Sequence, residues 1–418
     1  MRSGLNLFII CILGLFLRLF HLWTTMPFFG DQAWFYLSAR NALLTGQFPL
    51  LGITSSVTWL HQGPLWTYFL IPSLAISHFH PVSGGVLTAL LGSLTIILCY
   101  FLGRIWFGVR AGLAAAFIFA MSPLAIIHAR MPYHTSPIPL FVALFLLLLT
   151  QKKYFLSSLM LGFLFQLELV TVIFWPVYLL FLIRLQYVPR FRDVLGFVLG
   201  ILPLLISGPV QVGGVFVWAL YHRLVSTGST VSPLPFYSNL LNRFFSPGIP
   251  LLPWFLLALS VIYAIIRKRL EILWLVVPLI LIFFNGTGSE AYSTLLFVPL
   301  SLFFGLFISK LFPRHLMLVF FTAWWLINSH YLLKNDYAID MESYGVSIIS
   351  RQNLSSQIFT QSLTGTPTLN LVGPGSQFAS TKDPYKYLIW YESLFKKPSG
   401  RHLEFEINNT DQTFRVLK

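Results

Sequence analysis

Long apolar runs separated by short basic connectors repeat from Leu5 to about Leu332. A bilayer crossing takes about 17–25 apolar residues, and the runs predict spans near 5–23, 85–103, 111–128, 138–150, 154–169, 171–184, 194–210, 251–266, 271–284, 291–308 and 315–332. That makes about eleven helices in an all-α polytopic bundle. The apolar segment Pro64–Phe79 is short and contains Pro72. Counting it as a span would reverse every later basic connector, so it is expected along the outer surface. The first long loop, 24–84, is expected to hold two interfacial helices, and the second, about 211–250, with its Gly/Ser/Pro-rich STGSTVSPLP, to be mobile. From Leu333 polar residues return, and the alternating runs LNLV and LEFEI read as strands. The expected division is a membrane domain over 1–332 and a small soluble α/β domain over 333–418, outside because the helix count is odd.

Composition narrows the class. Charged residues are 10% of the 418, against about a quarter in soluble domains, and 56% are hydrophobic. The first run is interrupted by Arg18 and His21 and no small-residue cleavage site follows, so it reads as a retained span rather than a signal peptide. A net charge of +14 could suggest nucleic acid, but the basic residues mark topology instead. Arg104 and Arg110, Lys152 and Lys153, Arg184 with Arg190 and Arg192, Arg267–Arg269, and Lys310 with Arg314 all fall inside if the N-terminus is cytoplasmic. The expectation is a multi-pass cell-membrane protein with an extracytoplasmic C-terminal domain and no nucleic-acid partner. Cys11 and Cys99 lie within apolar runs and define no disulfide framework.

Only five of the thirteen carboxylates precede residue 333: Asp31, Glu168, Asp193, Glu271 and Glu290. Asp193 and Glu271 sit beside cytoplasmic arginines at helix starts, where the dipole favours them. Asp31, Glu168 and Glu290 fall on the outer side with Arg18, His21, His61, Arg130 and His134. This gathering of acids, bases and cations above an apolar bundle suits a substrate with a charged head and a greasy tail. Each member also has a structural reading: Asp31 after Gly30 is a good helix N-cap, Arg18 a snorkelling side chain, Arg130 an interface anchor, Glu168 a satisfied bundle residue, and His61 and His134 isolated histidines. No ligand spacing calls for a metal, so no cofactor is expected, and a divalent metal stays open as the alternative.

The order of these segments resembles the GT-C superfamily of integral-membrane glycosyltransferases, in the branch of protein O-mannosyltransferases and the lipid A aminoarabinose transferase. A span ending LRLFHL, then a proline, then GDQAWFYLSARNALLTGQFP matches the family's first loop, with Asp31 at its catalytic aspartate and Gln32 in place of a frequent second acid. HQGPLWTYFL, 61–70, resembles a surface helix in which Gln62 or Gly63 stands where a lysine is common. YFLGRIWFGVRAGLAAAFIFAMSPLAIIHARM, 100–131, is the nearest match and ends with Arg130; His134 falls where another acid is expected. GSEAYSTLLFVPLSLFFG, 288–305, resembles the late outer loop whose tyrosine enters the site, here Tyr292.

The resemblance implies transfer of a sugar from a polyprenyl-phosphate donor to a hydroxyl on a lipid, glycan or protein acceptor at the outer face, with inversion. Asp31 would be the base, and Arg130 with Arg18 would hold the phosphate. His61, His134, Glu168, Glu290 and Tyr292 would complete substrate binding, and membrane lipid would receive the carrier tail. Three other readings stay open on the sequence alone: a lipid-linked glycan polymerase or ligase, a polyprenyl-lipid flippase or transporter, and an inactive scaffold.

Overall fold

The computed structural model describes residues 2–417 apart from 56–58, 209, 215–233, 248, 250, 285–288, 339–345, 363–366, 374–375, 377, 397–402 and 409–411. The STGSTVSPLP stretch thus lies mostly outside the described residues. Among those described, three helices are long and apolar enough to cross a membrane: Ser83–Phe107, Glu290–Leu311 and Arg314–Lys334. The remaining expected spans are shorter helices or broken ones. The break within 111–128 has a clear cause. Ser122 is extended and accepts from Ala125 N–H while Pro123 opens the next turn, so Val109–Met121 ends and Pro123–His128 restarts. The expected 194–210 span is likewise divided into Phe191–Gly200 and Leu202–Ser207, with Pro203 in the first turn of the second piece.

Ser83–Phe107 and Val109–Met121 form an antiparallel hairpin that turns at Gly108, whose φ of +97° a side chain would strain. Phe297–Leu311 lies against Val109–Met121, and nearly all of its side chains are buried. Between spans, the first long loop folds as two helices, Gly30–Thr45 and Leu65–Ile76, as its pattern predicts. Leu65–Ile76 has 12 residues, so at about 1.5 Å per residue it is too short to cross a bilayer. It buries Trp66, Leu70 and Leu74 against the bundle.

The polar C-terminal residues form a three-stranded sheet of β1 (Thr368–Val372), β2 (Glu404–Asn408) and β3 (Thr413–Val416), in that order. β1 and β2 are parallel, with Leu369 opposite Phe405; β2 and β3 are antiparallel, with Ile407 opposite Phe414. Helices Ile348–Ser362 and Asp383–Ser393 supply Leu354, Ile358, Tyr385 and Ile389 to a core shared with Leu369, Phe405 and Ile407. This unit is fastened to the first loop. Ile348 N–H donates to Met26 O at 2.9 Å, and Tyr387 Oη–H donates to Phe79 O at 2.7 Å. The Tyr387 ring meets Tyr36 edge-on, and Arg40 lies over Trp390. The docking places the start of Asp383–Ser393 above the start of Gly30–Thr45.

Candidate functional site

Asp31 lies in the first turn of Gly30–Thr45 but is not its cap. That place is filled by the extended Phe29, whose N–H donates at 3.3 Å to Oε1 of the fully buried Gln32. Gln32, at the position of the resemblance's second acid, therefore closes the helix start and leaves the Asp31 carboxylate for other partners. Ser380 Oγ–H donates to its Oδ1 at 3.0 Å, and Tyr133 Oη–H reaches Oδ2 at 3.4 Å. Burial and the negative charges of Asp31 and Glu168 push the Tyr133 phenol well above its ordinary value. Tyr133 thus remains a donor throughout the neutral range.

Tyr133 connects this carboxylate to a second one. Its ring lies 4.1 Å from that of His134, and His134 Nε2 sits 3.3 Å from Glu168 Oε2. Both are buried, at 4% and 7% exposure. Gln62 Nε2 donates to Glu168 Oε1 at 3.1 Å, while Gln62 Oε1 accepts from Leu169 N–H at 3.2 Å. Tyr292 lies within electrostatic reach of Glu168 and Tyr133. Two residues earlier on the same short helix, Glu290–Ser293, Glu290 binds His128 Nε2 at 3.0 Å and is paired with Arg243 Nη1. Asp31, His134, Glu168 and Tyr292 are brought together, with Glu290 two residues before Tyr292.

Arg18 and Arg130 do something else. The carbonyls of the last turn of any helix lack intrahelical donors, and two helices here, Arg2–Leu19 and Val109–Met121, end side by side. Arg18, on the first, donates to Ala120 O at 3.0 Å and Phe119 O at 3.2 Å at the end of the second. Arg130, just beyond the following helix Pro123–His128, donates through Nη1 to Leu17, Arg18 and Phe20 carbonyls at 3.3, 2.9 and 2.8 Å at the end of the first. Its Nη2 takes Thr25 Oγ1 at 2.5 Å, and its guanidinium stacks 3.7 Å from the Tyr337 ring. Asn328 Nδ2 adds a donor to Met121 O at 3.2 Å. The two arginines are reciprocal C-caps, 0% and 1% exposed, whose Nη donors face backbone carbonyls and Thr25 rather than the Asp31 group. Their charge also suits the negative ends of both helix dipoles.

His61 stands apart as well. Its N–H donates to Gln211 Oε1 at 2.9 Å and its ring faces Gly52 O at 3.3 Å; its neighbour Gln62 is the one that joins the site. Tyr133, Ser380, His128 and Arg243 complete the constellation without having been singled out by pattern. Among the described residues no three His, Cys, Asp or Glu side chains converge as a metal site. His134 and Glu168 are engaged with one another.

No protein-family model and no curated protein sequence matches the chain. Solved structures do. ArnT from Cupriavidus metallidurans, bound to undecaprenyl phosphate, matches with a TM-score of 0.68 at 12% identity over 98% of this chain and 93% of that one. The archaeal oligosaccharyltransferase AglB from Archaeoglobus fulgidus, in complex with an inhibitory peptide and a dolichol-phosphate, matches at 0.56 and 13% identity, over 93% of this chain and 59% of that one. Both are GT-C superfamily membrane glycosyltransferases. The chain has the GT-C fold. Its correspondence with ArnT runs through the C-terminal sheet as well as the bundle, since the match leaves out only 2% of this chain.

Proposed function

We propose that the protein is a membrane glycosyltransferase that moves a sugar from a polyprenyl-phosphate carrier to an acceptor hydroxyl at the outer face, with inversion. The observation that carries this reading is the Asp31 carboxylate. In a GT-C fold, it is freed from capping by Gln32 and sits between the bundle and the C-terminal unit with a donor on each oxygen.

The chemistry follows from the contacts. Oδ1 is fixed by Ser380, while among the described residues Oδ2 has only the long contact to Tyr133, so Oδ2 is the oxygen that accepts the acceptor's proton. The acceptor oxygen then bonds to the anomeric carbon as the bond from that carbon to the phosphate oxygen breaks. The electron pair leaves with that oxygen, releasing polyprenyl phosphate. A phosphate leaving group needs cationic donors more than a strong acid. With Arg18 and Arg130 committed to helix ends, Arg243, paired with Glu290, is the cation this reading assigns to the phosphate. The tail lies along the apolar bundle, whose spans number about eleven in this reading, with the N-terminus inside and residues 333–418 forming the outer domain. The outer helices Gly30–Thr45 and Leu65–Ile76 cover the head and exclude water.

The test is sugar transfer by purified Asp31→Asn and Asp31→Ala proteins, read beside their melting temperatures. A lost base costs about 10²–10⁴ in rate, with folding intact in the Asn variant. Near wild-type transfer by Asp31→Asn would remove Asp31 from the chemistry.

A further inference from the structure

The contact between Asp31 and the C-terminal unit spans 349 residues of sequence, and it is shaped on both sides. Gly30 comes immediately before the carboxylate, and a Cβ there would stand 2.6 Å from Ser380 O and 3.0 Å from Ser380 Oγ. Only a residue without a side chain lets the Ala379–Lys382 turn come down onto the helix start. The turn is held from its far side too. It leads directly into Asp383–Ser393, where Tyr387 Oη–H donates to Phe79 O, and the Tyr387 ring packs on Phe28 and Tyr36. The buried Asp383 carboxylate pairs with Lys386 at 2.8 Å.

We infer that Ser380 is a positioning residue for the transfer reaction, and that the C-terminal unit thereby completes the active site rather than merely covering it. This rests on Asp31 being the base. Ser380 fixes Oδ1 at 3.0 Å, and this sets the rotation of the carboxylate. Oδ2 is then left to take the acceptor's proton, with the 3.4 Å contact from Tyr133 its one other partner among the described residues. Loss of the Ser380 donor lets the carboxylate turn, and small misplacements of a reacting group are costly in rate. The proton still passes from the acceptor oxygen to Asp31; Ser380 neither gains nor loses one.

The full-length protein is assayed with lipid-linked donor in four forms: Ser380→Ala, Ser380→Thr, Gly30→Ala and Asp31→Asn. Ser380→Ala should lower kcat about 10- to 100-fold while the KM for donor and the melting temperature stay within twofold and about 1 °C. Ser380→Thr, which keeps a hydroxyl, should recover most of the rate. Gly30→Ala should reproduce the kcat loss by lifting the turn. If Asp31→Asn is inactive but Ser380→Ala keeps kcat within twofold, the positioning role is overturned while the base assignment stands. If Asp31→Asn is active, the base assignment itself has failed. If Ser380→Ala and Ser380→Thr lose rate equally, the hydroxyl is not what matters, and the proposal is likewise overturned.

Discussion

Replacing Arg130 with Ala separates a helix cap from a substrate grip. The guanidinium donates to three backbone carbonyls at the end of Arg2–Leu19 and to Thr25, and it is 1% exposed. A buried polar group left without its partner costs about 1–3 kcal/mol, so three orphaned carbonyls sum to at least about 3 kcal/mol. The exposed Tyr337 face adds a lost cation–π contact of about 1–2 kcal/mol when desolvated. At about 2–4 °C per kcal/mol in larger domains, detergent-purified Arg130→Ala should melt roughly 6 °C lower or more. Its transfer activity per folded molecule, measured below that transition, should stay within a few fold. Arg130→Lys can point a charge at the same carbonyls but cannot spread donors as a fork does, and it should fall between. Arg18→Met should behave like Arg130→Ala, because its guanidinium serves the other helix end in the same way. An Arg130→Ala protein that melts with the wild type yet fails to transfer sugar would refute the capping argument and return the residue to phosphate binding.

Arg243→Ala should reduce transfer per folded molecule about tenfold or more through a weaker hold on the donor phosphate, alongside a lower melting temperature from breaking its pair with Glu290; unaltered donor KM and rate would exclude it from the site. The buried Asp383 carboxyl is held above the usual carboxylate range by desolvation, which Lys386 offsets only in part. Its folded form therefore keeps a proton more readily than the unfolded chain, and stability falls as pH rises through the interval between the two values. Asp383→Asn should flatten that fall in melting scans run upward from about pH 4, the ordinary aspartate value, and an unchanged slope would contradict it. For topology, in a chain lacking Cys11 and Cys99, Ser376→Cys should react with an impermeant thiol reagent in intact cells and Val109→Cys should not. The reverse labelling would place Asp31 in the cytoplasm.

Much of the architecture is readable from hydropathy because burial and lipid exposure both select apolar runs. The two helices of the first loop and the strands at LNLV and LEFEI fall where the pattern puts them. The broken spans are legible only locally, as in Ser122–Pro123, where a capping side chain and a missing N–H coincide. Asp31 stands out because carboxylates are scarce. Its partners do not, since Ser380 is 349 residues away and Tyr133 102. The arginines illustrate the limit most clearly. A charged residue in an apolar run is expected to serve function, but here the nearby polar need is the orphaned carbonyls of two helices ending together. That need arises from tertiary packing between segments about a hundred residues apart, with Arg18 reaching Ala120 across 102 positions. Likewise, Gln62 joins Glu168 across 106 residues while its neighbour His61 turns away.

The central claim is that Asp31 drives transfer of a lipid-linked sugar. Its most direct measurement is mass spectrometry of lipid-linked sugars and envelope glycans from cells expressing wild-type protein, Asp31→Asn at equal abundance, or none. The account predicts that a polyprenyl-phosphate sugar accumulates, and one glycosylated product disappears, in the Asp31→Asn and empty cells alike. A product profile in Asp31→Asn cells indistinguishable from wild type, at matched protein level, would contradict it.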